Sequence, residues 1–186
     1  YLSEISIQKG IAKYTSAFTP PTSPDPQLDA QSSLVLKTNP SIYDSTRRNA
    51  IETVGNARVI GGPPYPAVVK GYSHYFDGTG DYLNIPGSPD FDFGTGDFTL
   101  ETWVWIDTNS VADGSGNRLG ALVSSFNNAG QGWYMSIWGN STTTGTGIGI
   151  EAQNGGVYTS SVQSCSISQR VWHHVAITRQ SGTIRF

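Results

Sequence analysis

Among the side chains able to do chemistry, one carboxylate stands out: Glu101, in the run FTLETWVW over residues 98–105. Strand alternation puts Phe98, Leu100, Thr102 and Val104 on one face and Thr99, Glu101, Trp103 and Trp105 on the other. Three of the four residues on the first face are apolar, so that face points into a core. The second face, one acid beside two tryptophans, reads either as cover over a sheet or as an exposed surface that binds something. Cleaving a glycosidic bond takes two carboxylates, which a strand would present at i, i+2 and i+4. No Glu-x-Asp-x-Glu run occurs here. Glu101 is alone on its strand face, and no hydrolase activity is expected.

His173 and His174 are adjacent, so on a strand they point to opposite faces and cannot share one metal ion. A serine nucleophile would need a positioned histidine and an acid, and no signature for them is present. The lone Cys165 excludes an internal disulfide framework and a cysteine-rich zinc site. In the polar run QSCSIS it is expected to be a small buried side chain rather than a reactive thiol.

The elements that must position these residues follow from composition and patterning. Charged residues make up 13% of the chain, well below the ~25% usual for soluble proteins. With 22 glycines and many Ser and Thr, the chain reads as short strands and many turns, an all-β domain. The 186 residues suffice for one domain with a real core, or for one domain plus part of another. Net charge is −3 and the basic residues are scattered apart from Arg47-Arg48, so no nucleic-acid partner is expected. Arg47-Arg48 reads as a solvated turn, with a site for an acidic sugar as the alternative. No apolar run approaches the ~20 residues of a membrane span, and no signal peptide appears at Tyr1. The only methionine is Met135, so Tyr1 is not expected to be the biological start.

In chain order, LSEISIQ is strand-like and Thr19 to Pro26 is a proline-rich spacer. SSLVLKT, from Ser32, is a short strand. GGPPYPAVVKG, from Gly61 to Gly71, is a stiff loop. HYFDGTGDYLNI and DFTLETWVWI are strands around a Pro/Gly/Asp loop, with Asp77-Gly78 and Thr79-Gly80 supplying turn chemistry. DTNSVADGSGNRLG is a polar loop and ALVSSF a strand. QGWYMSIW places Trp133, Met135 and Ile137 on one face and Tyr134, Ser136 and Trp138 on the other. Asn140 to Gly147 is a turn, and its Asn140-Ser141-Thr142 is a formal glycosylation acceptor. Asn154-Gly155-Gly156 signals a hairpin between IGIEAQ and VYTSSVQ. A second hairpin joins Trp172–Arg179 to Thr183–Phe186 across Gln180-Ser181-Gly182.

The combination FDGTGDYL, FDFGTGDFTLETWV and WHHVAITR, in that order and spacing, resembles the laminin-G-like domains of the concanavalin A-like lectin/glucanase superfamily. The resemblance covers roughly Gln31 to Phe186 and implies a two-sheet antiparallel jelly-roll sandwich, usually a binding or adhesion module and seldom a catalyst. The opening segment resembles the last strand and exit of such a repeat, matching at Lys9, Gly10, Ala12, Tyr14, Thr15, Phe18, Pro20, Pro21 and Thr22. The resemblance thus implies three parts. Residues 1–19 close a preceding repeat, 20–30 form a linker, and 31–186 form a sandwich expected to be incomplete at its C-terminus.

Related sandwiches hold Ca²⁺ in edge loops through Asp, Asn and backbone oxygens. Asp77, Asp81, Asp90, Asp92 and Asp97 offer such oxygens, although Asp in Gly-rich loops also serves turns. No other cofactor is implied. For a sugar ligand, Trp133, Tyr134, Trp138 and Tyr158 are the candidates to stack on a pyranose face, with a core role as the alternative for each. The leading expectation is a non-enzymatic adhesion or glycan-binding module in a tandem array, extracellular, on a phage virion or cell surface. Its partner would be host or cell-surface polysaccharide. The alternative is a structural assembly subunit whose surfaces bind only neighbouring copies of itself, with strand addition between chains as one route.

Overall fold

A computed structural model describes residues 1–24, 28–62, 64–65, 71–107, 118–126, 131–139, 145–154 and 157–186. Pro26, Pro63, Pro66, most of the polar loop after Asp107, the Asn140–Thr142 acceptor, the Gly155-Gly156 turn and the side chain of Tyr158 lie outside the described residues. The strands are β1 (Leu2–Lys9), β2 (Ser32–Leu36), β3 (Glu52–Val54), β4 (Arg58–Gly61), β5 (Tyr72–Tyr75), β6 (Tyr82–Asn84), β7 (Phe98–Trp105), β8 (Arg118–Ser124), β9 (Gly132–Trp138), β10 (Gly145–Asn154), β11 (Val157–Ile167), β12 (Trp172–Gln180) and β13 (Thr183–Arg185). The strand pairings among the described residues are antiparallel. The chain divides into two compact units, Tyr1–Val104 with Trp172–Arg185, and Trp105–Val171 with Phe186.

In the first unit one sheet runs β13-β12-β7-β1-β5-β4, and β2 also pairs with β1. The alternation predicted for β7 is reproduced. Phe98, Leu100 and Val104 are buried on the face they share with Leu2, Ile5, Ile7, Leu34 and Leu36. The opposite face carries Ser3, Ser6, Gln8, Thr99, Glu101 and Trp103. β1 lies in the interior of this sheet, between β7 on one side and β2 and β5 on the other. A bulge between Ser3 and Ser6 breaks its register with β7, with Glu4 at φ 51°. The Glu4 carboxylate accepts from Thr38 N at 2.8 Å.

Two expectations change at the strand level. HYFDGTGDYLNI is two strands of different sheets. β5 joins the main sheet, whereas β6 pairs with β3 in a two-stranded ribbon. The Asp77–Asp81 turn interrupts the run, because the Asp77 carboxylate accepts from Thr79 N at 2.7 Å and Asp81 accepts from Asp77 N at 2.8 Å. β8 begins at Arg118, inside the expected polar loop. The β12–β13 hairpin closes as read, with Gln180 opposite Thr183. Ser181 at φ 48° and Gly182 at φ 83° form the two-residue turn, both in the left-handed region that such a hairpin requires.

The second unit holds a four-stranded sheet in the order β11-β10-β9-β8. Trp133, Met135, Ile137, Ile148 and Ile150 are buried on one of its faces. Tyr134, Ser136, Trp138, Gly147, Gly149 and Glu151 share the other, with Ser136 and Glu151 fully buried. Cys165 is exposed rather than buried, near the end of β11 where the neighbouring polar side chains also meet solvent.

Candidate functional site

The polar face of β7 is closed by the chain's own residues 11–18. Gly10 N donates to Asp97 O at 2.7 Å, which aims the chain across the sheet after β1 ends. Lys13 N then donates to Thr99 Oγ1 at 2.8 Å, and the Thr99 hydroxyl donates to Ile11 O at 2.9 Å. On β12, the Thr178 hydroxyl donates to Tyr14 O at 2.8 Å. This strap places two side chains on Glu101. Lys13 Nζ sits 2.7 Å from Oε1, and the Tyr14 hydroxyl donates to Oε2 at 2.5 Å. His174 Nε2 approaches Oε2 at 3.3 Å from β12. The Glu101 side chain is 6% exposed and that of His174 3%.

Burial is the largest single influence on Glu101 and pushes its carboxyl up. The His174 hydrogen bond, the Lys13 charge and hydrogen bond and the Tyr14 hydrogen bond together outweigh it and hold the group at about 2. Tyr14 moves the other way, raised by burial and by the Glu101 charge. An aromatic ring surrounds the imidazole: Trp103 at 5.2 Å, Phe18 at 5.7 Å and Tyr14 at 6.1 Å, with Tyr14 and Phe18 stacked 3.7 Å apart. Tyr65 meets Trp103 edge-on at 5.9 Å.

Beside Glu101 lies a cavity of about 30 Å³ lined in part by Gln8, Lys13, Tyr65, Trp103 and His174. Gln8 Oε1, Trp103 Nε1 and His174 Nδ1 have no protein partner among the described residues. Such a volume suits a few waters at most and is far too small for a sugar ring. Glu101 is therefore an ionised structural carboxylate with its oxygens committed. A second carboxylate, that of Glu4, lines the same cavity and accepts from Thr38 N at 2.8 Å.

The sequence-predicted aromatics divide between the two faces of the second unit's sheet, Trp133 on one and Tyr134, Trp138 and, by register, Tyr158 on the other. Trp133 belongs to the buried apolar face of β9. Tyr134 and Trp138 share the opposite face, each half-buried, and Tyr134 lies 5.4 Å from the Phe126 ring. The Trp138 indole lies against Gly149, where a Cβ would stand 2.5 Å from Nε1, so the missing side chain is what admits the ring. Tyr158 sits opposite Gln153.

The aspartates are occupied locally. Asp81 accepts from Asn56 N at 2.5 Å and from Asp77 N at 2.8 Å, and Asp92 accepts from Gly94 N at 3.1 Å. Asp97 accepts from Ser181 N at 2.8 Å, and Asp90 lies 3.7 Å from Arg48. Among the described residues no group of three or more His, Cys, Asp or Glu is arranged to hold a metal ion.

Two features escaped sequence reading. Asp44, 3% exposed, accepts from Val35 N at 3.0 Å, Thr46 N at 3.0 Å, Asn49 N at 3.1 Å and Asn49 Nδ2 at 2.8 Å, knotting the turn after β2 to the sheet. Only the Asp-Ser-Thr turn chemistry signalled it. The second is the exposed face of the β3–β6 ribbon. Tyr82, 53% exposed, pairs with Val54 and shares its face with Asn84 and Glu52, where Asn84 Nδ2 donates to Glu52 Oε2 at 3.1 Å.

Residues 77–186 match the family model of the laminin-G type described as the concanavalin A-like lectin/glucanases superfamily. The chain belongs to this family. No curated protein and no solved structure matched it. The all-β antiparallel architecture is that of a concanavalin A-like β-sandwich. A laminin-G-like domain is a carbohydrate-binding or adhesion type of module, generally non-enzymatic and typically extracellular. The matched region begins at the Asp77 turn and takes in β6 through β13. No helix is long and apolar enough to cross a membrane among the described residues.

Proposed function

We propose that this laminin-G-like domain is a non-catalytic glycan-binding and adhesion module, carried in a tandem array on a virion or cell surface, where it touches polysaccharide. The observation that carries this reading is the ribbon face: an exposed aromatic ring, Tyr82, in line with a hydrogen-bonded amide–carboxylate pair, Asn84–Glu52. Tyr82 and Asn84 are two residues apart on one strand, a separation of about 6–7 Å. That spacing lets a pyranose stack its C–H face on the ring while its hydroxyls reach the amide and the carboxylate. The pair is already hydrogen-bonded, so little side-chain freedom is lost when a sugar binds. The commitment of Glu101 to Lys13, Tyr14 and His174 supports the non-catalytic half of the reading.

The array and the surface setting rest on the proline-rich spacer, the low charge and the resemblance of residues 1–19 to the end of a repeat. Glycan arrays with the unmodified chain, Tyr82→Ala and Tyr134→Ala test the reading. Binding that weakens about tenfold for Tyr82→Ala, the worth of one stacked ring at about 1.4 kcal/mol, is expected, with Tyr134→Ala and chelator leaving it unchanged. Loss on Tyr134→Ala alone would move the site to β9. Silence of the unmodified chain across neutral and acidic glycans would defeat the proposal.

A further inference from the structure

The polar atoms of the ribbon face are unequal in kind, and that inequality selects among sugars. Val54 stands directly opposite Tyr82, and Glu52 directly opposite Asn84. One end of the face is therefore a half-buried apolar side chain with an exposed ring, and the other an exposed carboxylate with an exposed amide. An ionised carboxylate only accepts hydrogen bonds, whereas an amide accepts at its oxygen and donates at its nitrogen. Asn84 Nδ2 already donates to Glu52 Oε2 at 3.1 Å. Each carboxylate oxygen and the amide oxygen keep room for a further bond, against one remaining amide N–H. Acceptors outnumber donors, so a ligand that fits this end must donate.

The charge around the ribbon has the same sense. Asp81 adjoins Tyr82 in the chain, and its carboxylate is held by the backbone N–H groups of Asp77 and Asn56. Arg58 is close enough to Asp81 to act on its carboxyl, yet its guanidinium is engaged elsewhere. It lies over the Tyr75 ring at 4.2 Å and donates through Nη1 to Asn56 O at 3.2 Å. Sugar hydroxyls donate hydrogen bonds and carry no charge. Carboxylate and sulfate groups on a sugar accept only and are negative, so beside Glu52 they meet both the wrong hydrogen-bond partner and a like charge. Within about 8 Å that repulsion is not screened away at physiological salt.

We infer that Glu52 is the specificity-determining residue of the ribbon, and that the glycan it admits is free of anionic groups, with neighbouring hydroxyls that donate to the carboxylate while a ring face lies on Tyr82. The inference rests on the reading of the ribbon as a glycan site and narrows it: uronic, sialic and sulfated chains are turned away by the carboxylate, and neutral polysaccharide is accepted. Tyr82 supplies contact area to any sugar, since every pyranose has a C–H face. Discrimination falls to the one charged group on the ribbon face.

The test uses matched probes: glucan, mannan and galactan oligosaccharides, each in its neutral form and with C6 oxidised to a carboxylate. Affinities are measured for the unmodified chain, Glu52→Gln and Tyr82→Ala. Glu52→Gln removes the charge and keeps an acceptor for Asn84, so the ribbon stays paired. The unmodified chain should bind a neutral form about tenfold more tightly than its carboxylated counterpart, the worth of one hydrogen bond to a charged group. Glu52→Gln should shrink that ratio to about threefold or less. Equal or tighter binding of the carboxylated forms, abolished by Tyr82→Ala, overturns the inference and leaves the glycan site standing. A tenfold preference that persists in Glu52→Gln also overturns it, because the carboxylate is then not its source. Binding to neither form, or binding indifferent to Tyr82→Ala, defeats the ribbon as a glycan site, and the inference falls with it.

Discussion

The polar face of β7 and the exposed face of the β3–β6 ribbon are written in similar residues and end in opposite states. Each has an aromatic side chain two residues from a polar group, Glu101 with Trp103 and Asn84 with Tyr82. On β7 the strap, its backbone tied to the Thr99 and Thr178 hydroxyls, lays a lysine and a tyrosine over the acid, which ends 6% exposed and fully engaged. On the ribbon nothing among the described residues covers Tyr82, and the Asn84–Glu52 pair stays at the surface. The difference lies in what comes back over the face. A buried carboxylate with three partners stabilises the fold and is silent toward ligands, whereas an exposed amide–carboxylate pair contributes little to stability and remains available.

The largest expected effect comes from breaking the covered face. Glu101→Ala leaves Lys13 and His174 without their acceptor in a largely buried setting and should cost about 4 kcal/mol, read as a lower urea midpoint at unchanged slope. Asp44→Ala should follow at about 3 kcal/mol, because several buried N–H groups lose their acceptor together. If either change cost less than about 1 kcal/mol, the network would be ornamental.

Acid should reveal the same network without mutation. The folded-state pKa of Glu101 lies below its ordinary value, so its contribution is present above pH 4.5 and is lost as pH falls toward 2. The loss should be about 2–3 kcal/mol, discounted for the partly exposed Lys13. Asp44, also lowered, adds to it in the same direction. Tyr14 is raised, so its part persists below pH 10 and fades above it. In Glu101→Gln the acid-side slope in thermal melts should flatten. The smallest effect belongs to the ribbon: Tyr82→Ala should move stability by less than about 0.5 kcal/mol, which separates a ligand surface from a structural one.

The legible part of this fold was local. Alternation placed Phe98, Leu100 and Val104 on the buried apolar face of β7, and Trp133, Met135 and Ile137 on that of β9. Ser181-Gly182 announced its hairpin, since the turn needs two left-handed residues and the flanking strands alternate. What escaped was set by distant chain. Lys13 and Tyr14 reach Glu101 across 88 and 87 positions, and no periodicity encodes such a meeting. The break between β5 and β6 turned on whether the Asp77–Asp81 turn bends within one sheet or leaves it, which its residue types do not specify. Cys165 was misplaced because small polar residues flank it equally well on a buried or an exposed strand face. Of the candidate site, residue type groups the aromatics of β9, whereas alternation sets Trp133 on a face apart from Tyr134 and Trp138.

The most direct measurement compares two variants on one immobilised polysaccharide that binds the unmodified chain. Glu101→Gln keeps the shape of the side chain and one acceptor oxygen, replaces the other by an amide N–H, and alters only the covered face, while Tyr82→Ala alters only the ribbon. The expected result is unchanged affinity for Glu101→Gln and about tenfold weaker binding for Tyr82→Ala. Weaker binding by Glu101→Gln, with Tyr82→Ala unaffected, would contradict the division of the two faces into one that holds the fold and one that meets the ligand.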